Sequence, residues 1–257
     1  MKHKNGNKKF YSTLNVVLPI ATLLAVMAIY AIISKAVGIK LLAPSLSSVA
    51  KEFFSLFAQA EFYKAVGGTL GRAIAAYLLE FVFAVLFAAF SKGCPPLKRA
   101  FSPLIALVRV MPTMSIILLA IIWFNSYQSV ILVAFCVIFP MLYTGFCDAL
   151  DSVDKGLIEM AEIYNVDRKN RVLKLYLPQA LPGAFTSIKS SVGLNLKLVI
   201  AAEVLAQTAQ SVGVFMQLSK INLDTANLLA WTAIAVVLGS LSEVAVALVE
   251  KKAVKWR

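Results

Sequence analysis

The sequence predicts an all-α, polytopic membrane protein with about six transmembrane helices. Of its 257 residues 60% are hydrophobic, only 15% are charged, and the apolar residues are gathered into long runs. A soluble domain rarely reaches that apolar fraction. A span of the hydrocarbon core needs about 20 mostly apolar residues, and a helix satisfies its own backbone hydrogen bonds there.

Six stretches have the composition of a membrane span. The first is interpreted as a retained helix rather than a signal peptide, because its apolar run is long and Ser34–Ala36 makes a poor cleavage site. The fourth is the shortest. In order they are Leu14–Ser34, Thr69–Phe90, Leu104–Phe124, Ser129–Gly145, Ala184–Gln207 and Leu228–Val249.

The basic residues predict the orientation of the chain. Sixteen Lys and Arg residues flank the spans on the side that holds both termini, whereas five flank them on the other side. Cytoplasmic flanks carry the excess of Lys and Arg in membrane proteins. Both termini are therefore predicted to be cytoplasmic, and the net charge of +12 reflects orientation rather than a nucleic-acid partner.

Little in the chain points to covalent chemistry. The only histidine, His3, lies in a basic tail, and the three cysteines give no disulfide framework. No G-x-x-x-x-G-K-[ST] sequence for nucleotide phosphates occurs. The chain is therefore not expected to be an enzyme or to hold a metal or cofactor itself.

The organisation predicted along the chain has three parts. Residues 1–64 hold the N-terminal tail, the first span and a short amphipathic helix that Ser45 or Ser47 caps. This helix is interpreted either as lying along the membrane interface or as an ordinary packed loop. Residues 65–250 form a core of five spans, and residues 251–257 a basic tail. The face of the amphipathic helix is formed by Val49, Phe53, Leu56 and Phe57.

Glycines and prolines add two further expectations in the core. Gly67, Gly71 and Ala75 recur every four residues, a spacing that favours close helix packing. Pro95 and Pro96 are expected to exclude a helix from the basic turn after the second span.

The polar connection at residues 146–183 differs from the rest of the core. An apolar stripe of Leu157, Met160, Ala161 and Tyr164 predicts a short helix that begins near Asp154. Asn165 is expected to end it in a left-handed conformation, and Asp167 to cap a second, basic helix. Pro178 and Pro182 are expected to break the chain before the fifth span.

This connection resembles a motif of the membrane subunits of bacterial binding-protein-dependent ABC importers, E-A-A-x3-G-x9-I-x-L-P. The spacing matches throughout, with departures at Met160, Asn165 and Leu175. Three more stretches resemble the nitrate/sulfonate/taurine group of this family: "APSLSSV", "PLIALVRVMPTMSIILLAIIWF" and "LPQALPGAFTSIKSSVGLNLKLVIAAE".

The resemblance implies a type I ABC importer permease fold in a bacterial inner membrane. It implies cytoplasmic coupling helices that fit a cleft on a separate ATPase subunit, which would hold ATP and Mg²⁺. It also implies an extracytoplasmic solute-binding protein and a second permease copy, set in membrane lipid. The residues expected to couple to the ATPase are Glu159, Met160, Ala161, Asn165, Arg168, Leu177 and Pro178.

Polar residues within the spans are candidates for the transport route. A charge at membrane depth costs roughly 2.5–3.5 kcal/mol on insertion scales, so each needs a reason. Arg109 either lines the route or pairs with Glu80 or Glu203, and Lys197 either attracts an anion or pairs with Glu203. The candidates are Arg109, Asn195, Lys197 and Glu203.

The leading hypothesis is thus a permease for a small anion such as a sulfonate, taurine, nitrate or bicarbonate. A permease for a vitamin or pyrimidine precursor is an alternative within the family. An ion-coupled secondary transporter is an alternative from another class, although the sequence shows no inverted repeat or pair of interrupted helices.

Overall fold

The computed structural model describes residues 4–39 and 41–254, which form eleven α-helices and one π-helical segment. His3, Lys40 and residues 255–257, with the expectations attached to them, lie outside the described residues. In chain order the elements are α1 Lys4–Val37, α2 Leu46–Leu56, α3 Ala60–Gly93, α4 Pro95–Val110, α5 Thr113–Trp123, α6 Ser126–Asp151, α7 Lys155–Ile163, α8 Arg168–Asn170, the π-helical segment Arg171–Tyr176, α9 Leu177–Ala206, α10 Val212–Ile221 and α11 Thr225–Ala253.

The all-α class is confirmed, whereas the count of six spans stays a prediction. Within the described residues, α3, α6 and α11 are long and apolar enough to cross a membrane, and the bent pair α4–α5 would make a fourth span. Helix α1 covers the first predicted span, and the 30-residue α9 covers the fifth. At about 1.5 Å per residue the 30 residues of α9 are long enough to cross a bilayer.

The third span is predicted as one helix, but the structure has two helices there. Helix α4 ends at Val110, α5 begins at Thr113, and their axes differ by 97°. Pro112 explains the break, because it has no N–H to continue the helical ladder and disfavours helical geometry in the residue before it. Met111 accordingly has an extended backbone, with φ −61° and ψ 131°.

Helices α3, α6 and α9 form the centre of the bundle. Along α3 the buried face is built from small side chains, which let the neighbouring helices approach closely. Facing them are larger residues of α6 such as Val133, Ile138 and Leu142, all fully buried. The small residues of that α3 face are Ala65, Ala73, Ala76, Ala84 and Ala88.

The amphipathic helix α2 packs against α11, with Leu56 buried. Its N-cap is Ser45, whose side chain accepts a hydrogen bond from the N–H of Ser48 at 3.2 Å, as predicted. The structure therefore shows a helix rather than a loop here, and the location of this helix along the membrane interface stays a prediction. Phe57 lies just past the helix end and is exposed.

Of two smaller expectations, close packing at the glycine spacing is not seen within this chain, and the exclusion of a helix by the two prolines is wrong. A side chain at Gly67 or Gly71 would meet nothing within 4 Å, so this glycine face points away from the described bundle. Helix α4 begins directly at Pro95 and Pro96. A proline is compatible with the first helical turn, where the N–H has no intrahelical partner anyway.

Candidate functional site

The connection between α6 and α9 folds as a compact helical loop, residues 152–176, which we call the charged loop. Asp154 caps α7, because its carboxylate accepts a hydrogen bond from the N–H of Gly156 at 2.8 Å. Asn165 ends α7 with a φ of 51°, and the N–H of Val166 donates to the Ala161 carbonyl at 2.9 Å. Asp167 caps α8 through the N–H of Asn170. All three predicted helix boundaries are confirmed.

The predicted break at Pro178 and Pro182 is wrong, because the charged loop runs without interruption into α9. The residues before Pro178 form the π-helical segment, in which the N–H of Leu177 donates to the carbonyl of Val172. A π-helical turn is wider than an α-helical turn. The wider turn accommodates the ring of Pro178 and the absence of its N–H. The helix therefore continues through Pro178, with a local change in its hydrogen-bond register.

Polar contacts fasten the charged loop to itself and to α9. Arg171 and Glu162 form an ion pair with Nη1 and Oε1 3.0 Å apart, which joins the π-helical segment to α7. The N–H of Asp154 donates to Gln179 Oε1 at 3.1 Å. The Asp167 carboxylate accepts side-chain and backbone hydrogen bonds from Asn170, which hold its pKa below the usual value.

Apolar contacts complete the attachment of the loop. The end of α6, the loop and the start of α9 share a small cluster of buried side chains: Ala149, Val153 and Ala180. Ala161 is also buried. Both ends of the loop are therefore packed on the bundle.

The exposed tip of α7 carries an apolar patch of Met160, Ile163 and Tyr164, which we call the tip patch. Ile163 and Tyr164 are 77% and 76% exposed. The predicted stripe is therefore divided: Ala161 faces this chain, Leu157 is half-buried, and Met160 and Tyr164 face outwards. Ile163, which the predicted stripe did not include, completes the outer face.

The other predicted coupling residues take varied positions. Glu159 and Arg168 are exposed and have no ion pair within the described residues. Leu177 is exposed at the start of α9, and Pro178 is half-buried. Asn165 has its structural role at the end of α7.

A buried ion pair lies where α3, α9 and α10 meet. Arg72 Nε lies 2.7 Å from Glu203 Oε1, and the side chains are 7% and 0% exposed. Thr69 donates to the other carboxylate oxygen at 2.9 Å, and Gly213 N–H donates to the same oxygen at 3.3 Å. Glu203 thus pairs with Arg72 and not with Arg109 or Lys197, which removes the pairing alternative for these two bases with Glu203. Arg72 was missed although it is a charge within a predicted span.

Two glycines allow this network to close. A Cβ at Gly213 would lie 2.4 Å from the Cβ of Glu203, and one at Gly68 would lie 2.4 Å from the carbonyl oxygen of Gln210. That carbonyl also accepts a hydrogen bond from Arg72 Nη2 at 3.2 Å. The backbone between α9 and α10 is therefore pressed against α3 at these positions.

A line of polar contacts continues between α3 and α9. Asn195 is 2% exposed, and its amide donates to the Ala73 carbonyl at 2.9 Å. Tyr77 shares a hydrogen bond of 2.8 Å with Ser191. Glu80 is fully buried, and neither carboxyl oxygen has a hydrogen-bond partner within the described residues. Asn195 and Glu203 thus lie on the inner face of α9.

The opposite face of α9 is open. It carries exposed residues at helical spacing, which we call the open face: Thr186, Ser190, Lys197 and Ala201. Lys197 has no ion pair within the parts of the chain that the structure describes. Of the polar candidates on α9, Asn195 and Glu203 therefore lie on the buried face, whereas Lys197 lies on the open face.

The remaining charges in the spans are near the surface or at packing contacts. Arg109 is exposed at the end of α4 and donates hydrogen bonds to Thr144 Oγ1 and to the Pro140 carbonyl at 3.5 Å. Lys189 pairs with Glu250 of α11 at 2.7 Å. Glu243 packs against α9 at Gly193, where an added Cβ would lie 2.2 Å from its Oε1.

Curated relatives share modest identity with this chain. SsuC of Bacillus subtilis, named as a putative aliphatic sulfonates transport permease protein, is 27% identical over 157 residues, or 60% of this chain and 56% of SsuC. TauC of Escherichia coli, a taurine transport system permease protein, is 24% identical over 78% of this chain and 73% of TauC. The match thus spans a little over half the length of SsuC.

Solved structures show the same fold at low identity. An ABC transporter involved in the import of the polysaccharide alginate matches with a TM-score of 0.63 and 14% identity, covering 95% of this chain and 99% of that chain. An amino acid ABC transporter matches with a TM-score of 0.62 and 14% identity, covering 79% of this chain and 94% of that chain.

A family model settles the relationship that the motif of the charged loop indicated. The model described as binding-protein-dependent transport system inner membrane component matches residues 81–255, which include α6, the charged loop, α9 and α11. The chain belongs to this family of inner membrane components of binding-protein-dependent transport systems.

Proposed function

We propose that this chain is the permease subunit of an ATP-driven importer and carries no ATPase activity itself. ATP and Mg²⁺ would bind a separate ATPase subunit that docks on the charged loop. The tip patch is the observation that carries this proposal, since an exposed apolar surface of this kind marks an interaction site. Both termini and the charged loop would then be cytoplasmic.

The attachment of the charged loop supports a coupling role. An apolar helix face held in a groove is a common mode of helix recognition. The Arg171–Glu162 pair and the packing of Ala161 hold α7 against the start of α9. Closure of two ATPase subunits would therefore move α9 with α7, without a flexible linker between them.

The open face of α9 is our candidate for the transport route. Lys197 offers a cation there without an anionic partner in the described part of the chain, which suits a small anionic solute. The relatives SsuC, TauC and the bicarbonate permease protein CmpB of Synechococcus elongatus carry names of anion or sulfonate transport systems. We infer a small anion of this kind, delivered by an extracytoplasmic binding protein.

A second copy of the chain would complete the route. The open face of α9 is uncovered in a single chain, and a polar face in a membrane needs protein or water against it. A permease dimer would enclose it between two copies. The similarity to RibX of Chloroflexus aurantiacus, a riboflavin transport system permease protein, at 25% identity over 62% of this chain makes a vitamin the second candidate solute.

The docking proposal is tested by Ile163→Asp, with Lys155→Asp as the matched control on the charged face of α7. Tagged chains are purified from native membranes, and associated subunits are identified by mass spectrometry. We expect the wild type and Lys155→Asp to retain a subunit that contains a G-x-x-x-x-G-K-[ST] sequence and hydrolyses ATP, and Ile163→Asp to lose it. Retention of that subunit by Ile163→Asp would contradict docking at the tip patch.

A further inference from the structure

A basic cavity of about 380 Å³ lies where the end of α3 meets the charged loop. Its walls come from three separate parts of the chain, so it exists only in the folded loop. Neither the proposed ATPase contact at the tip patch nor the open face of α9 uses it. Its principal lining residues are Ala89, Lys92, Leu150, Arg168, Arg171 and Tyr176.

The charges around this cavity favour an anion. Lys92, Arg168 and Arg171 line it, and no acidic side chain does. Two acids outside the lining pair with its bases: Asp151 binds Lys92, at 2.8 Å, and also Lys98, at 2.6 Å, and Glu162 binds Arg171 at 3.0 Å. The charged residues of the lining itself are therefore three bases and no acid.

Two of the lining bases have unused hydrogen-bonding capacity. Arg171 Nη1 binds Glu162, but its Nε is buried and has no acceptor within the described residues. Arg168 is exposed and has no ion pair there. Lys92 is held in place by the Leu150 carbonyl at 3.1 Å, and its Nζ lies 5.7 Å from the centroid of the Tyr176 ring. A bound phosphate group would satisfy guanidinium donors that the protein leaves free.

The cavity is continuous with an apolar surface on α3. One turn above Ala89 lie Val85 and Leu86, followed by Val82 and Leu78, all exposed and all on the same side of the helix. This side belongs to a helix with the length and composition of a membrane span. A ligand with one anionic end and long apolar chains would match both surfaces, whereas a free anion would use only the first.

We propose that the cavity binds the phosphate headgroup of an anionic phospholipid, in the leaflet on the side of the charged loop, with its acyl chains along Leu78, Val82, Val85 and Leu86. Basic pockets at the ends of transmembrane helices bind such headgroups. The lipid would bridge α3 and the π-helical segment. It would thereby stabilise this segment, which is the part of the charged loop that leads into α9. This inference requires only that α3 spans the membrane, and not that an ATPase docks.

The test measures lipid retained by the purified full-length chain. The protein is purified in detergent, exposed to an equimolar mixture of phosphatidylglycerol and phosphatidylcholine, and examined by native mass spectrometry. We expect the wild type to retain phosphatidylglycerol about tenfold in preference to phosphatidylcholine, a difference of about 1.4 kcal/mol, because bases near the membrane surface attract anionic lipids. The double variant Lys92→Gln/Arg171→Gln should lose this preference.

Matched variants separate the site from general effects of charge. Lys169→Gln/Lys174→Gln removes two bases from the same loop that do not line the cavity, and it should keep the preference. Ala89→Glu places an acid inside the cavity without touching the Arg171–Glu162 pair, so it should lose the preference even if the double variant misfolds. Equal preference in the wild type and Ala89→Glu would overturn the proposal.

A competition arm distinguishes a lipid from a free phosphate. Millimolar inorganic phosphate should leave the retained phosphatidylglycerol unchanged, because it cannot use the apolar side of α3. Displacement of the lipid by phosphate alone would assign the cavity to a soluble anion and contradict the lipid proposal. None of these readouts depends on ATP hydrolysis or uptake, so this proposal and the proposed transport function fail independently.

Discussion

Arg72 and Glu203 form an ion pair that is almost completely enclosed between α3 and α9, with 2.7 Å between Nε and Oε1. The carboxylate is further held by Thr69 and by the N–H of Gly213, and the guanidinium by the Gln210 carbonyl. These groups come from two short segments, residues 69–72 and 203–213, and Arg72 and Glu203 are 131 positions apart in the sequence. The pair therefore fixes how α3, α9 and the start of α10 are assembled.

Removing one member of this pair should destabilise the protein more than removing both. Arg72→Leu or Glu203→Leu leaves one buried charge without its partner, which costs about 3–5 kcal/mol in folded proteins. The double variant Arg72→Leu/Glu203→Leu should recover part of that loss. The measurement is the fraction of monodisperse protein in detergent after heating. Single variants as stable as the wild type would show that the pair does not hold the helices together.

Gly213→Ala should destabilise the same junction, because its new Cβ would lie 2.4 Å from the Glu203 Cβ and 2.7 Å from the Ile200 carbonyl oxygen. Both obstacles are close to or part of the backbone, so the helices must separate, at a cost of about 1–3 kcal/mol. Gly67→Ala is the control, since nothing lies within 4 Å of its Cβ. The two variants are compared by thermal melting, and equal melting temperatures would contradict the close approach.

Glu80→Gln should leave folding intact, whereas Glu80→Lys should prevent it. Glu80 is fully buried with no hydrogen-bond partner in the described residues, and an ionised carboxylate there would be very costly. The uncharged amide of glutamine has nearly the same shape as a neutral carboxyl group. Membrane-inserted yield measures the outcome. Loss of Glu80→Gln from the membrane would show that the carboxyl group has an essential partner.

Lys197→Gln should reduce uptake of an anionic solute without reducing assembly, and Lys197→Arg should keep most of it. The side chain is exposed and has no ion pair in the described chain, so its charge is available to a solute. Uptake of taurine, an alkanesulfonate and bicarbonate into proteoliposomes is normalised to assembled complex. Lys220→Gln, which removes an exposed base from α10, is the control. Full uptake by Lys197→Gln for every transported anion would remove this residue from the route.

Sequence alone predicted the local structure of the charged loop well. The helix boundaries at Asp154, Asn165 and Asp167 depend on the residue's own side chain or backbone preference, which acts over a few neighbours. The same reasoning failed at Pro178, because the outcome depended on a π-helical turn that neighbouring contacts stabilise. A proline in the sequence shows that the helix loses one backbone hydrogen bond. It does not show how the chain accommodates that loss.

The partners of buried charges could not be predicted in the same way. Glu203 was recognised as a charge within a span, but Arg72 lies 131 positions away in the chain. Only the packing of α3 against α9 brings the two together. Helical spacing could have placed Lys197 opposite Asn195 and Glu203, although it could not show which of the two faces is buried.

The right-angle break at Met111 and Pro112 limits what can surround this side of the molecule. Pro112 has no N–H to offer the Val108 carbonyl, and Val110 beside the break is 82% exposed. Hydrocarbon cannot solvate an open peptide group, so irregular backbone at membrane depth persists only against protein or water. At membrane depth this bend would therefore need protein or water against it, and a second copy of the chain, as in the proposed permease dimer, would supply that cover.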